Sequence, residues 1–385
     1  MKLRADWVTA PHSRVVMEAL DGQGFFVGGC VRNALLEAPV SDIDVATPLP
    51  PDEVLARLEK SGIKAIPTGL QHGTVTAVHQ ATPVEITTFR RDVETDGRHA
   101  KVTYTEEIAQ DAGRRDFTMN ALYADQDGAL VDPLGGLPDL RARRVRFIGE
   151  ARDRIREDYL RILRFFRFHA WYGADGIDPE GLAACAELAD GIDQLARERI
   201  GWEIRKLLGA PDPAPSLASM EVSGILARCL PGATASAVPV LVHLEDQLGT
   251  EPEWKRRLVA LGGEELQSAL RLSRAEERDL KTLVTAVGTT ESDKITAYRH
   301  GAGIAWSAAL IRAASTGADV PVNMRADLEA AASVRFPIKP KDLMTRGIEA
   351  GPKLGEMLRL LEDHWIASGF ELEKQALLEE IVDRS

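Results

Sequence analysis

The clearest chemical pattern in the sequence is a pair of aspartates one residue apart, Asp42 and Asp44, which follow the segment Gly28-Gly29-Cys30-Val31-Arg32. Alternate side chains of a strand share a face, so both carboxylates would project from one side while Ile43 and Val45 enter the core. Such a pair suits Mg²⁺, which keeps several waters and also binds substrate phosphates. An isolated Asp-x-Asp is usually a solvated surface feature, but its place behind the glycine pair favours a metal site.

The glycine pair predicts a phosphate-binding turn. Gly28 and Gly29 follow a short apolar strand at 25–27 and allow a sharp turn that exposes backbone N–H groups. The next segment, beginning at Arg32, predicts a helix whose N-terminus favours anions. Phosphate and metal binding would therefore lie side by side.

Glu85 is a candidate third carboxylate. It lies in a predicted strand, 83–89, whose apolar residues alternate away from it. An acid on a neighbouring strand would complete a two-metal site for phosphoryl transfer. The sequence leaves two other roles open, a solvent-facing strand residue and a structural hydrogen bond.

The segment 114–121 combines a phosphate-binding fork at Arg115 with a ribose-hydroxyl acceptor at Asp116. By itself this pair fits an ion-paired strand start better, and the neighbouring motifs are what favour nucleotide binding. The preceding segment, 90–113, is polar and contains glycine, which predicts a mobile loop. Within it, His99 is interpreted as a surface residue and not as a general base.

The elements that would position these residues form a mixed α/β region followed by a helical one, which predicts an α+β fold. Past Leu140 the strand signals stop and apolar residues recur with a period near 3.6, as over 156–170. The predicted strands are 25–27, 41–46, 74–79, 83–89 and 129–132, and the predicted helices are 11–20, 32–37 and 51–61. Breaks rich in Pro and Gly are predicted near 209–216, 231–239 and 318–322.

The composition is that of an ordinary soluble protein of 385 residues, with 44% apolar and 28% charged residues. No apolar run approaches the roughly 18 residues of a membrane span. Three scattered cysteines form neither a disulfide framework nor a zinc pattern. These features predict a cytoplasmic protein with reduced thiols and no membrane partner.

The net charge of −12 argues at first against a nucleic-acid partner, but its distribution matters more than its sum. The stretch 141–170 contains ten arginines and only four acids. This basic stretch is a candidate phosphate-binding surface. A salt-bridged, solvated helix is the alternative that composition alone favours slightly.

Four motifs in order and spacing together resemble a known family. They are Gly-Gly-x-Val-Arg at 28–32, Asp-Ile-Asp at 42–44, Arg-Arg-Asp-Phe-Thr-x-Asn-Ala at 114–121 and Glu-Asp-Tyr-Leu-Arg at 157–161. They resemble the class II tRNA nucleotidyltransferases, the CCA-adding enzymes of the poly(A) polymerase family in the polymerase-β-like superfamily. The resemblance is strong over about 20–208 and weaker over 336–370. One departure is Asn33, where the family usually has Asp, which removes a charge near the triphosphate.

The resemblance implies template-independent transfer of nucleotides from CTP and ATP to the 3′ end of tRNA. Asp42 and Asp44 would hold Mg²⁺, Arg115 would add positive charge, and Asp116 would recognise the sugar. The nucleotide-binding residues implied are Gly28, Gly29, Arg32, Arg115, Asp116, Asn120, Asp158, Arg161, Arg164 and Arg167.

Within that set, Asp158 and Arg161 are predicted to read the base. Three residues apart on a helix, they would share a face, with Arg164 and Arg167 continuing the row toward the phosphates. The carboxylate would accept from the exocyclic amino group of cytosine or adenine, and the guanidinium would donate to the ring nitrogen. The alternative is an ordinary i,i+3 salt bridge.

The loss of strand signals, the Pro- and Gly-rich breaks and the resemblance of 140–208 to the family's neck together predict four domains: a catalytic head at 1–139, a neck at 140–210, a body at 211–320 and a tRNA-contacting tail at 321–385. In the tail, the Gly-rich segment 342–355 fits a phosphate-binding turn or a stabilising helix hairpin. The rival functions are a CC-adding or A-adding partial enzyme, a poly(A) polymerase and a non-catalytic tRNA-binding protein. The segment 90–113 favours full CCA addition, because CC-restricted enzymes of the family lack parts of it.

Overall fold

The structure is a computed structural model that describes residues 1–95, 100–174 and 176–379, with the side chains of 92–102 outside the description. The chain divides into two compact units. One consists of Met1–Ser236 with Gly262–Leu272, and the other of Ala237–Leu261 with Ser273–Ser385.

A seven-stranded mixed sheet forms the centre of the amino-terminal part. The strands are β1 (Phe25–Val27), β2 (Asp44–Thr47), β3 (Lys64–Gly69), β4 (Thr74–His79), β5 (Thr82–Thr88), β6 (Arg90–Thr95), β7 (Ala100–Tyr104), β8 (Tyr123–Ala124) and β9 (Leu130–Val131). The sheet order is β3-β4-β5-β2-β1-β8-β9, and β6 and β7 pair in a separate two-stranded antiparallel sheet. Among the described residues, β2 and β5 pair in parallel and the other neighbouring strands are antiparallel.

The helices that accompany the sheet, in the part of the chain that the structure describes, are α1 (Asp6–Thr9), α2 (Pro11–Ala19), α3 (Gly29–Leu35), α4 (Pro51–Lys60), α5 (Ile108–Gly113) and α6 (Leu137–Arg141). The sequence explains α4 well. Proline at its start suits the first turn of a helix, and acids in the first turn with bases in the last complement the helix dipole. Val54 and Leu58 bury its apolar face.

Helices then continue to the end of the described chain. They are α7 (Ala151–Glu157), α8 (Leu160–Tyr172), α9 (Pro179–Glu187), α10 (Arg197–Leu208), α11 (Ala214–Val222), α12 (Ile225–Cys229), α13 (Val238–Gln247), α14 (Trp254–Leu261), α15 (Leu266–Leu270), α16 (Arg274–Gly288), α17 (Asp293–His300), α18 (Ala302–Thr316), α19 (Met324–Ser333), α20 (Pro340–Met344), α21 (Pro352–Ala367) and α22 (Lys374–Glu379). Within the described residues, 3₁₀ turns occur at Leu70–His72, Thr118–Asn120 and Ala189–Gln194. The mixed sheet followed by helices confirms the predicted α+β fold.

Several local predictions were wrong. The segment 90–113 is not a loop, because it forms β6, β7 and α5, although Asp96 to His99 lie outside the described residues. The predicted strand 41–46 begins only at Asp44. The strand β3 was missed because it contains proline and lacks an alternating pattern, both of which an edge strand tolerates.

The predicted continuous helix over 156–170 is also wrong, because the chain leaves helical geometry at Asp158, where φ is −155° and ψ is 106°. An aromatic cluster fixes the second helix, α8, against the sheet region. Phe117 lies with its ring centroid 5.0 Å from those of Phe147 and Phe168, and Phe147 stacks on Phe165 at 5.3 Å. These buried rings hold α8 beside the segment that contains Arg115 and Asp116.

The second unit has its own core. One apolar cluster gathers around Leu241, Trp306 and Leu310, and another around Trp365 and Leu377. A buried carboxylate, Glu245, accepts hydrogen bonds from Arg256 at 2.5 Å and Arg257 at 2.9 Å, which ties α13 to α14. In the tail, the predicted pair of helices joined by a glycine-bearing turn is present as α20 and α21.

The three cysteines are buried and free. In the described part of the chain, no helix combines the length and the apolar character that a membrane crossing requires.

Candidate active site

The two aspartates lie at the start of β2, in the middle of the sheet. Asp44 is half-buried and stands opposite Glu85 in the parallel pairing of β2 with β5. Asp42 precedes the strand, is exposed, and accepts a hydrogen bond from Ser41 Oγ at 2.8 Å. Ile43 and Val45 are buried. Asp44 is therefore accessible from solvent at the first position of β2, and Asp42 is exposed just before it.

Negative charge is concentrated at this point. Burial, together with the charges of Glu85 and Asp42, raises the pKa of Asp44 to about 6, and the charge of Arg115 opposes this shift. A bound cation would relieve this repulsion, so the donor set fits a hard divalent ion. In the described chain, however, no group of three or more His, Cys, Asp or Glu side chains is arranged to hold a metal. The fit thus rests on the aspartate pair, with Glu85 as a charged neighbour.

Gly28 is required by its backbone conformation. Its φ is +71°, in the region that side chains rarely adopt, and it immediately precedes α3. A Cβ on Gly28 would lie 3.4 Å from Arg115 Nη1. The glycine motif and Arg115 are therefore neighbours, as the nucleotide-site prediction requires. Gly29 begins the helix itself.

Arg32 is buried and held from several sides. Its Nη1 donates to Asn120 Oδ1 at 2.5 Å, its Nη2 donates to Tyr172 Oη at 2.8 Å, and its guanidinium lies 4.1 Å from the centroid of the Tyr172 ring. Burial lowers the pKa of Arg32. Since Tyr172 belongs to α8, Arg32 joins the glycine motif to the helical region.

Asn33 has a structural role of its own. Its Oδ1 accepts hydrogen bonds from Arg32 Nε at 3.1 Å and Nη2 at 2.9 Å, while its Nδ2 donates to the Pro39 carbonyl at 2.7 Å. An aspartate could accept the first two bonds but could not donate the third. The amide therefore fixes both Arg32 and the turn that follows α3.

Arg115 is oriented by two buried groups. It donates to Asp111 Oδ2 at 3.1 Å and to Tyr123 Oη at 3.1 Å. Burial alone would lower the pKa of Arg115, but Tyr123 and Asp111 raise it above its ordinary value. Sequence reasoning missed Asp111, because it lies in the segment interpreted as a loop. Its spacing of three and four residues from Arg114 and Arg115 was the available signal.

Asp116 joins the sheet region to α8. Its Oδ1 accepts from Asn120 Nδ2 and the Phe117 N–H, both at 2.9 Å, and its Oδ2 accepts from Arg164 Nε at 2.8 Å and Nη2 at 2.5 Å. Burial would raise the pKa of Asp116, but Arg164 and Asn120 lower it to about 2. Each oxygen thus already accepts two hydrogen bonds from the protein.

The substitution Asp116→Asn tests how much the ionised Asp116 carboxylate contributes to the stability of the fold. A carboxyl whose folded pKa is depressed stabilises the fold above its unfolded pKa, near 4, and loses that contribution as pH falls toward the folded value of about 2. We expect the variant to be less stable than wild type by about 2 kcal/mol at pH 7. Unfolding curves should show the difference shrinking between pH 4 and pH 2. A difference that does not change with pH would contradict this role.

Asp158 and Arg161, the predicted base-reading pair, are neighbours in the structure, but they do not share a helical face. Asp158 is not on a helix, because it lies in extended backbone between α7 and α8, so the shared helical face was wrong. Its Oδ1 accepts from the Leu160 N–H at 3.1 Å, and its Oδ2 accepts from Arg199 at 2.7 Å. Arg161 bonds Glu157 Oε2 at 2.5 Å and the Arg154 carbonyl at 2.8 Å. The i,i+3 salt bridge that was the alternative is therefore not formed.

Arg161, Arg164 and Arg167 form one partly exposed row on α8. A buried acid of α10, Glu203, accepts from Arg167 Nε at 2.6 Å and lies 3.9 Å from Arg164. Sequence reasoning missed Glu203, Arg199 and Lys206 of α10, whose only signal was charge at regular spacing on an amphipathic helix. Elsewhere in 141–170, most arginines are also ion-paired, whereas Arg141, Arg143 and Arg144 are exposed.

The mixed sheet, its carboxylate pair, the glycine turn and the facing row of arginines define a nucleotidyltransferase. The comparisons agree with this class. Residues 24–146 match the family model described as "Poly A polymerase head domain", and residues 176–236 match "Probable RNA and SrmB- binding site of polymerase A".

The chain belongs to the CCA-adding enzyme family of tRNA nucleotidyltransferases. It is 33% identical to the mitochondrial CCA tRNA nucleotidyltransferase 1 of Homo sapiens, over 91% of this chain and 84% of that protein. It is 32% identical to the CCA-adding enzyme of Streptococcus gordonii, over 90% of each. Nucleotidyltransferases of this kind typically use a divalent metal ion.

Solved structures show the same fold. The Bacillus stearothermophilus CCA-adding enzyme in complex with CTP matches with a TM-score of 0.73 at 28% identity, over 97% of this chain and 96% of that chain. The Thermotoga maritima CCA-adding enzyme complexed with tRNA matches with a TM-score of 0.70 at 17% identity, over 96% and 94% of the two chains.

Proposed function

We propose that this protein adds CMP and AMP from CTP and ATP to the 3′ end of tRNA, building or repairing its CCA terminus with Mg²⁺ held by Asp42 and Asp44. The main support for this activity is sequence identity of more than 30% with CCA-adding enzymes over about nine-tenths of the chain. The carboxylate pair, beside the glycine turn and Arg115, supports the assignment of the catalytic centre.

The reaction joins the 3′-hydroxyl of the tRNA to the α-phosphorus of the nucleotide and releases pyrophosphate. When bound, the metal ion lowers the pKa of that hydroxyl and neutralises charge on the triphosphate. Arg115 lies beside the Gly28 turn, where its fixed guanidinium would offset phosphate charge. Arg32 lies on α3, the helix that begins at the glycine turn, and its guanidinium is held by Asn33 and Asn120. It would bind the phosphates together with the turn. Positioning and charge neutralisation do most of such chemistry, so no separate side-chain base is needed.

Nucleotide choice falls to Asp158 and Arg161. Asp158 is fixed by Arg199, and Arg161 is fixed through Nη1 by Glu157, so both are oriented before the base arrives. Among the described residues, none accepts a hydrogen bond from Arg161 Nε or Nη2, which leaves those donors to a ligand. Cytosine and adenine would satisfy both groups, whereas uracil and guanine present the opposite polarity. An unpaired group costs about 1–3 kcal/mol.

We assign Asp116 to the positioning of Arg164 and not to direct recognition of the sugar. Both of its oxygens accept two hydrogen bonds within the protein, and two of these bonds hold Arg164 in the row on α8. Arg164 and Arg167 are balanced by Asp116 and Glu203, which keeps the row ordered in the absence of phosphate. We assign the two arginines to the nucleotide phosphates.

Three further assignments complete the proposal. We place the protein in the cytoplasm, although its relatives include both bacterial and mitochondrial enzymes. We retain the division into head, neck, body and tail at residues 139, 210 and 320. We also assign the glycine-bearing turn between α20 and α21 to a tRNA backbone contact.

The decisive assay offers the purified protein tRNAs that lack CCA, CA or A, with each nucleotide triphosphate alone and in mixtures. Sequencing of the products should show C, C and A added in order and then arrest. Addition of CC alone, of A alone or of a long A tract would select the partial enzymes or a poly(A) polymerase. Binding of tRNA with no incorporation in Mg²⁺ would select a non-catalytic tRNA-binding protein.

A further inference from the structure

Two tryptophans are exposed at one edge of the paired helices α8 and α10. The exposed fraction is 41% for Trp171 and 56% for Trp202, although large aromatic side chains are normally well buried. Trp171 Nε1 donates to the Lys206 carbonyl at 2.7 Å, and Lys206 Nζ lies 4.5 Å from the centroid of the Trp202 ring. We call Trp171, Trp202 and Lys206 the tryptophan platform.

The platform lies beside the arginine row of α8, because α8 and α10 pack against each other. Lys206 belongs to the same helix as Glu203, which anchors Arg167. The pKa of Lys206 is lowered by burial and then by Arg167 and Arg164, while Glu203 and Asp42 act in the opposite direction. Lys206 therefore lies within electrostatic range of both the arginine row and one of the two aspartates at the start of β2.

Along α8, Trp171 continues the row of Arg161, Arg164 and Arg167. It lies ten residues beyond Arg161, which is about 15 Å along a helix at 1.5 Å per residue. The base of the incoming nucleotide is assigned to Arg161, so the platform lies well away from that base. Its aromatic faces are unsuited to phosphate, because a ring face carries the negative part of the quadrupole. Flat faces with an adjacent cation suit an RNA base and its backbone.

We propose that the tryptophan platform stacks the terminal base of the RNA primer and so presents its 3′-hydroxyl to the aspartate pair. Lys206 would contact the backbone phosphate beside that base. The inference rests on the proposed function for the identity of the primer as tRNA, since the platform by itself specifies only an RNA end with an unstacked base.

The kinetic test measures CMP addition to tRNA lacking CCA. Trp202→Ala should raise KM for tRNA about tenfold to 100-fold, the range expected for loss of one stacked base, while KM for CTP changes less than about twofold. Trp202→Phe should restore most of the loss, because a ring is kept. Ile66→Ala, which truncates an apolar residue 38% exposed on β3 in the same unit, should leave KM for tRNA unchanged. If Trp202→Ala raised KM for CTP instead, or had no effect, the proposal that the platform stacks the terminal base of the primer would be wrong.

A binding measurement separates this inference from the proposed function. A tRNA lacking CCA and ending in 2-aminopurine is mixed with protein without nucleotide or metal. Wild type and Trp202→Phe should quench the fluorescence of the terminal base, whereas the Trp171→Ala, Trp202→Ala double variant should bind without quenching. Quenching by a wild type that adds no CMP would refute the proposed function and leave the platform intact. Equal quenching by the double variant, or no binding by wild type, would refute the platform.

Discussion

Asp42→Ala is expected to lower the rate of CMP addition by about a thousandfold or more while tRNA binding survives. The proposed site has two carboxylates to hold the ion, so removing one leaves it without an adequate ligand set. Loss of a single preorganised charge-stabilising group already costs on the order of 100-fold to 1,000-fold in an active site, and here the ion itself is lost. Single-turnover addition at saturating CTP measures the effect, and filter binding measures the affinity for tRNA.

Two matched variants sharpen this experiment. Asp52→Ala removes an exposed carboxylate from α4 and should leave the rate unchanged. Glu85→Gln neutralises the acid opposite Asp44, and we expect a much smaller loss because the described residues form no three-ligand cluster. Loss in Glu85→Gln as large as in Asp42→Ala would instead establish a third ligand. Ordinary turnover by Asp42→Ala would refute the metal assignment.

Arg161→Ala is expected to relax the choice among nucleotides. The guanidinium is rigidly held by Glu157 and the Arg154 carbonyl, so its removal leaves Asp158 as the single fixed group that reads the base. Discrimination worth about 1–3 kcal/mol should disappear, which is on the order of tenfold to 100-fold. The measurement is kcat/KM for CTP and ATP relative to UTP and GTP on tRNA that lacks CCA.

Arg156→Ala provides the control for charge. Arg156 lies five residues earlier in the same basic stretch, at the end of α7, is exposed, and pairs with Asp153. Its loss should leave the nucleotide ratios unchanged. Unchanged ratios in Arg161→Ala, or equal relaxation in both variants, would count against base reading by Arg161.

The sequence predicted the local geometry around the candidate site where that geometry depends on short spacing. Alternation correctly predicted that Ile43 and Val45 are buried while Asp44 is not, because strand periodicity is a local property, but it wrongly extended the strand to Asp42. The glycine pair predicted a sharp turn, and the positive φ of Gly28 shows why a residue with a side chain would be strained there. The strands β1 and β4 also follow from their apolar pattern and agree with the structure residue for residue.

The sequence did not predict which distant charges meet. The partner of Asp116 is Arg164, 48 residues away, and the partner of Asp158 is Arg199, 41 residues away. Such pairs depend on how α8 packs against the sheet and against α10, which no local pattern encodes. The break in the helix at Asp158 was not predicted either, because the apolar residues keep their period of about 3.6 across it.

Asn33 illustrates how a single departure from a motif is resolved by tertiary context. From the sequence it is only a missing charge near the triphosphate. In the structure its amide both accepts from Arg32 and donates to the Pro39 carbonyl. We therefore interpret the substitution as compatible with an ordered phosphate site.

The central claim is that Asp42 and Asp44 bind a divalent ion over the incoming triphosphate, and iron-mediated backbone cleavage tests it directly. Protein with Fe²⁺ in place of Mg²⁺, CTP and ascorbate should be cut at residues 42–44 and near residue 85 on the adjacent strand. Asp42→Ala should abolish these cuts. Cleavage confined to other segments, or cuts at 42–44 that persist in Asp42→Ala, would contradict the account.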